Sequence, residues 1–491
     1  MDTMHDIDNM TSLIEPIFLF FCTVTFNAYF FHRILFPKAK PTEAKSSEVP
    51  FSNRIPVRIA ILVGLAAYYF GPLYYNTGGL EDFIQGSDPK LEQILALSPS
   101  ILKGPSPPWM LQNRHMQFVP WMIQNEFHRG GIPFERHEFN VSACLDKGVK
   151  DCVHDPSLNE TISLDIFPPL DPSSEYSTNF NSSSPVVLVA PGLRCFSQDL
   201  PSNMIIRRLW AEGFRTVAIN RRGHTPDQLL KAPRWNLFGD VDDLEQVYWH
   251  VKNNLVAPNT ALFLHGISSG CAVVVRALSV WDKRKETNPE LPSPTFVGSI
   301  TLTPGYDTSK VLKRERFKFP YNALMTAMVK DHFVHQNEAV LRELDSEAVD
   351  KTLAAESLQD FLDAAAPFAG YKNADAYYEG ENPVNELHFI STPVFVMNSL
   401  DDPCCAISNL YEKSPYPQHN NMSYAELVGK TKRGLIAVTK TGSHCPFLDG
   451  TFFPFTKDPF NGYWMISSWA DTAAVEFYSA ALKVYDERRF L

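Results

Sequence analysis

The sequence predicts an α/β fold built on a mostly parallel sheet. Three observations carry that expectation. Apolar runs of strand length recur from residue 186 onward, each closed by turn residues. Helical stretches of amphipathic or apolar pattern lie between them, such as "DVDDLEQVYWHVKNNL" (240–255) and "CAVVVRALSV" (271–280). The polar residues that interrupt the pattern gather just past the apolar runs. Strand alternating with helix implies parallel strands covered on both faces.

The strands follow in order. "PVVLVAPG" places the first at Val186 to Val189, and "FRTVAINRRGH" (214–224) supplies the second. "ALFL" precedes Gly266, and "FVGSITLTPGYD" (296–307) follows. "TPVFVMNSLDDP" holds a strand at Val394 to Met397, and "GLIAVTKTGSH" one at Leu435 to Val438. Between the fourth and fifth strands, from about 308 to 388, the pattern is helical throughout. That position suits an insertion covering a site as a lid.

The chemistry is read from the strand ends. "LFLHGISSGC" (262–271) sets a serine between Gly266 and Gly270, after a strand and before a helix. So tight a reversal leaves no room for side chains at the two glycines. This G-x-S-x-G pattern is a nucleophile elbow, and it selects Ser268. A serine hydroxyl needs a base within reach, and the base needs an orienting acid. Chain order then expects the acid next and the histidine last. Asp401-Asp402-Pro403 ends the fifth strand, and Gly442-Ser443-His444 follows the sixth. His444 is the expected base. Asp402 is the expected acid because it precedes Pro403, with Asp401 the alternative. The expected oxyanion donors are the backbone amides of Ser269 and of Leu193, in the loop after the first strand.

From about residue 90 onward the chain resembles the α/β-hydrolase branch of membrane-anchored abhydrolase-domain lipid esterases and phospholipases. That branch includes the yeast-type medium-chain ethyl ester synthase/esterases. The resemblance rests on "NRHMQ" (113–117), "ISLDIF" (162–167), "AINRRG" (218–223) and "FPYNALM" (319–325). It continues through "FAGYKNADAYY" (368–378), "MNSLDDP" (397–403) and "GSHCPFLDG" (442–450). It implies an α/β-hydrolase fold, the triad Ser268, Asp402 and His444, and cleavage of lipid acyl esters without a cofactor. Acyl transfer to an alcohol by the same triad is the alternative, and a lipid-binding scaffold without turnover is the reading from another class. Two positions depart from the family: "PGLRCFS" lacks a second glycine, and Cys271 stands where a glycine is usual.

Other patterns point elsewhere and carry less. His444 and Asp449 form an H-x-x-x-x-D string like that of glycerolipid acyltransferases. No metal-binding H-E-x-x-H or paired C-x-x-C occurs, so no metal is expected. A formal net charge of −11 and the lack of a basic cluster argue against a nucleic-acid partner.

Residues 1–85 read as a membrane-anchor region with hydrophobic segments at 17–36 and 57–75. Their uncharged cores are "IFLFFCTVTFNAYFF" (17–31) and "IAILVGLAAYYFGPLYY" (59–75). The acidic flank before the first does not fit a secretory signal. The basic loop between them, with Arg33, Lys38, Lys40, Lys45, Arg54 and Arg58, belongs on the cytosolic side. If both segments span, or only the second, the catalytic domain is lumenal in an endomembrane such as the endoplasmic reticulum. If only the first spans, it is cytosolic. Sequons at Asn140, Asn159, Asn181 and Asn421 suit the lumenal arrangement, where Cys144 and Cys152 could form a disulfide, although cysteine usage does not settle the compartment. Residues 86–180 read as an irregular lead-in packing on the hydrolase domain (181–491), and "DPSSEYSTNFNSSSP" as mobile.

Overall fold

The computed structural model describes residues 78–485, apart from short stretches at 109–110, 129–130, 145–146, 148–153, 226–227, 312–320, 384–386, 415, 451–454, 461 and 463. Both hydrophobic segments near the N-terminus lie outside these residues. Among the described residues no helix is long and apolar enough to cross a membrane. One compact unit runs from Asn76 to Leu491.

Six parallel strands form the centre of the sheet: β4 (Val186–Ala190), β5 (Arg215–Asn220), β6 (Leu262–Ile267), β7 (Gly298–Leu302), β8 (Val394–Ser399) and β9 (Gly434–Thr439). These are the six expected strands. Every residue in them is buried. That explains why they read as unbroken apolar runs rather than alternating ones. Alternation is still present in space. Val186, Leu188, Leu264, Val396 and Ile436 face one core, and Val187, Val189, Phe263, Phe395 and Leu435 face the other. The first core is closed by helices α1 (Val241–His250) and α2 (Gly270–Thr287), the second by the C-terminal helix Trp469–Tyr485. Each fully buried branched or aromatic side chain contributes roughly 1.5–3 kcal/mol of transfer free energy.

The sheet is larger than the sequence predicts. Its order is β1-β9-β8-β7-β6-β4-β5-β3-β2. β1 (Leu80–Gln85) pairs antiparallel with β9, inside the stretch assigned to the anchor region. β2 (Glu135–Cys144) and β3 (His154–Phe167) form an antiparallel pair on β5, inside the stretch read as irregular. The reason is polar residues buried with partners. In "ISLDIF" the Asp165 carboxylate accepts from Arg136 at 2.7 and 2.8 Å, from Asn220 at 2.9 Å and from the Ser197 hydroxyl. Such a residue breaks an apolar run without breaking the strand. The Ser/Asn-rich stretch expected to be mobile is also tied down. Asp171 and Asn181 each accept from an amide two residues on, at 2.8 Å, and the Ser182 carbonyl accepts from the Ala257 amide at 2.8 Å. A short pair, β10 (Phe455–Lys457) and β11 (Trp464–Ile466), stands outside the main sheet.

Between β7 and β8 the described residues are mainly helical. α3 (Tyr321–Val329), α4 (Ser346–Ala354), α5 (Leu358–Ala365) and α6 (Ala374–Glu381) are the main elements. Three of these helices start on side chains that accept an amide hydrogen bond: Asp345 from Ala348, Ser357 from Asp360 and Asn373 from Ala376. The insertion buries Phe333, Phe361 and Phe368 against Trp235, with Ala272 of α2 and half-buried Leu193 in the same cluster. It therefore packs on the residues that follow both the first strand and the elbow.

Candidate active site

The loops that carry chemistry leave the C-terminal ends of β4, β6, β8 and β9. Ligands of open parallel sheets bind at that edge. Register brings the loops together, because Ala190 of β4 pairs with Gly266 of β6 and Ser399 of β8 with Thr439 of β9.

The turn after β6 is as tight as its glycines imply. Ser268 adopts a left-handed backbone, with φ 51°. Its amide donates to Leu302 at 2.9 Å and its carbonyl accepts from Cys271 at 2.9 Å, so the strain is held from both sides. A Cβ on Gly266 would lie 2.8 Å from Cys271 Cα, and one on Gly270 would run into the carbonyls of Ala190 and Pro191. α2 begins at Gly270, directly behind the serine.

The structure joins three of the expected side chains in a line. Ser268 Oγ lies 2.7 Å from His444 Nε2, and His444 Nδ1 lies 2.8 Å from Asp402 Oδ2. Asp402 and His444 are buried and Ser268 is half-buried. Asp402 Oδ1 accepts from the Cys404 and Cys405 amides at 2.7 and 2.8 Å. An ionised carboxylate only accepts, so Nδ1 carries the imidazole proton and Nε2 is left to accept from the serine.

Asp401 turns the other way. Its Oδ1 accepts from the Gly442 and Ser443 amides at 3.0 and 2.8 Å and from the Ser399 hydroxyl, while Oδ2 meets Thr441 Oγ1 at 3.1 Å. It staples the loop ahead of His444 to the end of β8. Burial pushes its carboxyl pKa up against those hydrogen bonds. Gln117 supports the same loop, donating to Thr441 at 2.6 Å and accepting from the Leu448 amide at 3.3 Å. Sequence reasoning gave Gln117 no role, although "NRHMQ" contains it. Asp449, the acidic end of the H-x-x-x-x-D string, accepts from the Ser106 amide at 2.9 Å and pins that segment.

Leu193 and Ser269 carry the two amides expected to face an oxyanion. Among the described residues neither amide is engaged in a backbone hydrogen bond. Gly192 lies against Ser268, since a Cβ added to it would approach Ser268 Cβ to 3.3 Å. The loop after β4 thus reaches the serine.

Among the described residues, five cysteines outside disulfides lie around the site: Cys195, Cys271, Cys404, Cys405 and Cys445. Burial pushes the Cys271, Cys404 and Cys405 thiols well above their ordinary value and Cys445 up as well. These four stand as neutral thiols, so none of them competes with Ser268 as a nucleophile. Ligand atoms of Asp402, Cys405 and His444 lie within 4.8 Å of one another. A metal would need the Cys405 thiolate, which burial opposes, and lone pairs that Asp402 already commits to three N–H groups.

This sheet, with an elbow serine, a histidine and an acid at its C-terminal edge, defines a hydrolase architecture. The chain belongs to the alpha/beta hydrolase family, whose model matches residues 186–453. Among the curated proteins it is similar to are abhydrolase-domain lipid hydrolases. Phospholipase ABHD3 of Bos taurus is 26% identical over 273 residues, 55% of this chain and 60% of that protein. Monoacylglycerol lipase ABHD2 of Danio rerio is 24% identical over 332 residues, 65% of this chain and 68% of that protein. The chain thus spans about 60% of the length of the phospholipase relatives it matches. A solved carboxylesterase from Lactobacillus plantarum is 14% identical, with a TM-score of 0.35, over 73% of this chain and 99% of that one.

Proposed function

We propose that the protein is a serine hydrolase that cleaves acyl esters of lipids through an acyl-enzyme. The observation that carries this reading is the assembled relay from Ser268 through His444 to Asp402, at 2.7 and 2.8 Å. His444 takes the Ser268 proton as Oγ attacks the acyl carbonyl. Asp402 holds the ring and stabilises the imidazolium. The Leu193 and Ser269 amides receive the negative charge on the tetrahedral oxygen. His444 then returns its proton to the leaving alcohol, and water repeats the sequence to release the fatty acid. The relatives' names, a phospholipase and a monoacylglycerol lipase, support a lipid ester as substrate. The helical insertion over Leu193 and α2 supports a lid that shields the acyl-enzyme.

The setting of this chemistry is a membrane surface, with the hydrophobic segments at 17–36 and 57–75 as anchors and the catalytic domain lumenal. Three observations support that orientation. The loop between the segments is basic. The sequon residues Asn140, Asn159, Asn181 and Asn421 are all exposed. Cys144 is disulfide-bonded, which suits an oxidising compartment, though its expected partner Cys152 lies outside the described residues.

The test is to purify the full chain and profile the lipid esters it hydrolyses, alongside covalent labelling with a fluorophosphonate. Fatty acid release with label on Ser268 is expected. A protein that binds lipid but neither labels nor releases fatty acid contradicts the reading.

A further inference from the structure

Arg221 and Arg222 are neighbours in "AINRRG", at the end of β5, yet their side chains meet different chemistry. Arg222 has a carboxylate partner, donating to Asp243 at 2.9 and 3.1 Å. Arg221 has only neutral oxygens among the described residues. Its Nη2 donates to the Pro191 and Gly192 carbonyls, both at 2.9 Å, and to Ser269 Oγ at 3.2 Å. Its Nη1 donates to the Leu237 carbonyl at 3.1 Å, and its Nε has no partner. The residue is 8% exposed. A buried cation without a counter-charge is costly, so the fold keeps it against a penalty. Burial lowers its pKa to about 10, which still leaves it charged at neutral pH.

Its partners supply the reason. The Gly192 carbonyl and the Leu193 N–H belong to one peptide unit. That unit is planar, so holding the carbonyl fixes the direction of the N–H. A cation on the carbonyl also polarises the unit and strengthens the N–H as a donor. The same Nη2 reaches Ser269, which carries the other proposed oxyanion amide.

We propose that Arg221 is a positioning residue for the oxyanion site, orienting and polarising the Gly192–Leu193 peptide and tying it to Ser269. It touches no reacting atom and exchanges no proton. Its uncompensated charge favours the negative charge that develops on the substrate oxygen. The inference rests on the serine-hydrolase reading above.

The test uses the full chain in detergent, with Arg221→Met, Arg221→Gln and Arg221→Lys. Active sites are counted by fluorophosphonate titration, so rates on a soluble short-chain ester are read per working site. Arg221→Met is expected to lower kcat per site by on the order of 10²-fold with KM nearly unchanged. Affinity for a trifluoromethyl ketone, which forms a tetrahedral adduct with serine, should fall in parallel. Arg221→Lys, which keeps the charge but not the fork, should fall between wild type and Met. Should Arg221→Met not fold, Arg221→Gln carries the same expectation. A purely structural role predicts fewer titratable sites with wild-type kcat and ketone affinity at each one. That result in the folded neutral variants overturns the proposal. A wild-type chain that never labels at Ser268 is a separate outcome, and it removes the serine-hydrolase reading itself.

Discussion

Replacing Asp402 with Asn changes one atom in the relay, and the surrounding hydrogen bonds decide what that does. Oδ1 accepts from the Cys404 and Cys405 amides, at 2.7 and 2.8 Å. The Asn amide oxygen must occupy that position, because an NH₂ there would face two donors. Leaving each buried N–H unpaired costs about 1–3 kcal/mol. The NH₂ group is therefore turned toward His444 Nδ1, donor against donor. The imidazole responds by moving its proton to Nε2 and accepting at Nδ1. Nε2–H then confronts Ser268 Oγ and cannot receive its proton. The expected loss in kcat is roughly 10⁴-fold, with the fold intact. That corresponds to about 5.4 kcal/mol of activation free energy at 1.36 kcal/mol per tenfold. Asp401→Asn is expected to be mild. Its oxygen still accepts from Gly442 and Ser443, and its NH₂ meets Thr441 Oγ1, whose proton goes to the Gln112 carbonyl at 2.8 Å. The assay is ester turnover by both variants, each checked for a cooperative thermal transition. Asp402→Asn turning over near the wild-type rate, or Asp401→Asn losing more, would contradict Asp402 as the acid.

Three further outcomes follow from the same geometry. Gly270→Ala puts a methyl group into the Ala190 and Pro191 carbonyls, so it should abolish turnover and sharply lower the yield of folded protein; soluble, active Gly270→Ala would contradict the close packing of the elbow. Asp471 is buried, and desolvation raises its pKa from 3.8 to about 7. The folded state then disfavours the ionised carboxylate, so stability is lost as pH rises from 3.8 to about 7 and stays low above it. Asp471→Asn should therefore raise Tm at pH 8, by up to about 4 kcal/mol in stability, and change little below pH 4; equal effects at both pH values would contradict it. For topology, a glycan-removing enzyme should shift the gel mobility of the chain made in a eukaryotic host, and quadruple replacement of Asn140, Asn159, Asn181 and Asn421 by Gln should shrink the shift; an unglycosylated domain digested by protease outside sealed vesicles would show a cytosolic orientation.

How much of this was legible in the sequence depends on how each residue is satisfied. The six central strands are buried on both faces, so their apolar runs are continuous and easy to read. Ser268, Asp402 and His444 each follow such a run, which made their convergence legible as well. β2 and β3 were hidden because Asp165 and Glu160 are buried polar residues whose partners lie far away in sequence. Whether Asp401 or Asp402 faces the histidine turns on one residue of loop geometry, and the proline after Asp402 was the available signal. Arg221 was illegible for a different reason. Its partners are mostly backbone carbonyls, which leave no mark in any residue pattern. Nothing in "RRG" distinguishes the arginine that pairs with Asp243 from the one that braces the loop.

Everything proposed for this site turns on Ser268 as its nucleophile. The direct test is a comparison of Ser268→Ala and Ser269→Ala, each folded and assayed for ester turnover and fluorophosphonate labelling. Ser268→Ala is expected to lose on the order of 10⁴-fold or more in turnover, together with all labelling. Ser269→Ala keeps its backbone N–H and loses only the hydroxyl that accepts from Arg221, so it should label and turn over with a far smaller loss. Equal losses in both variants, or labelling that survives in Ser268→Ala, would contradict the assignment.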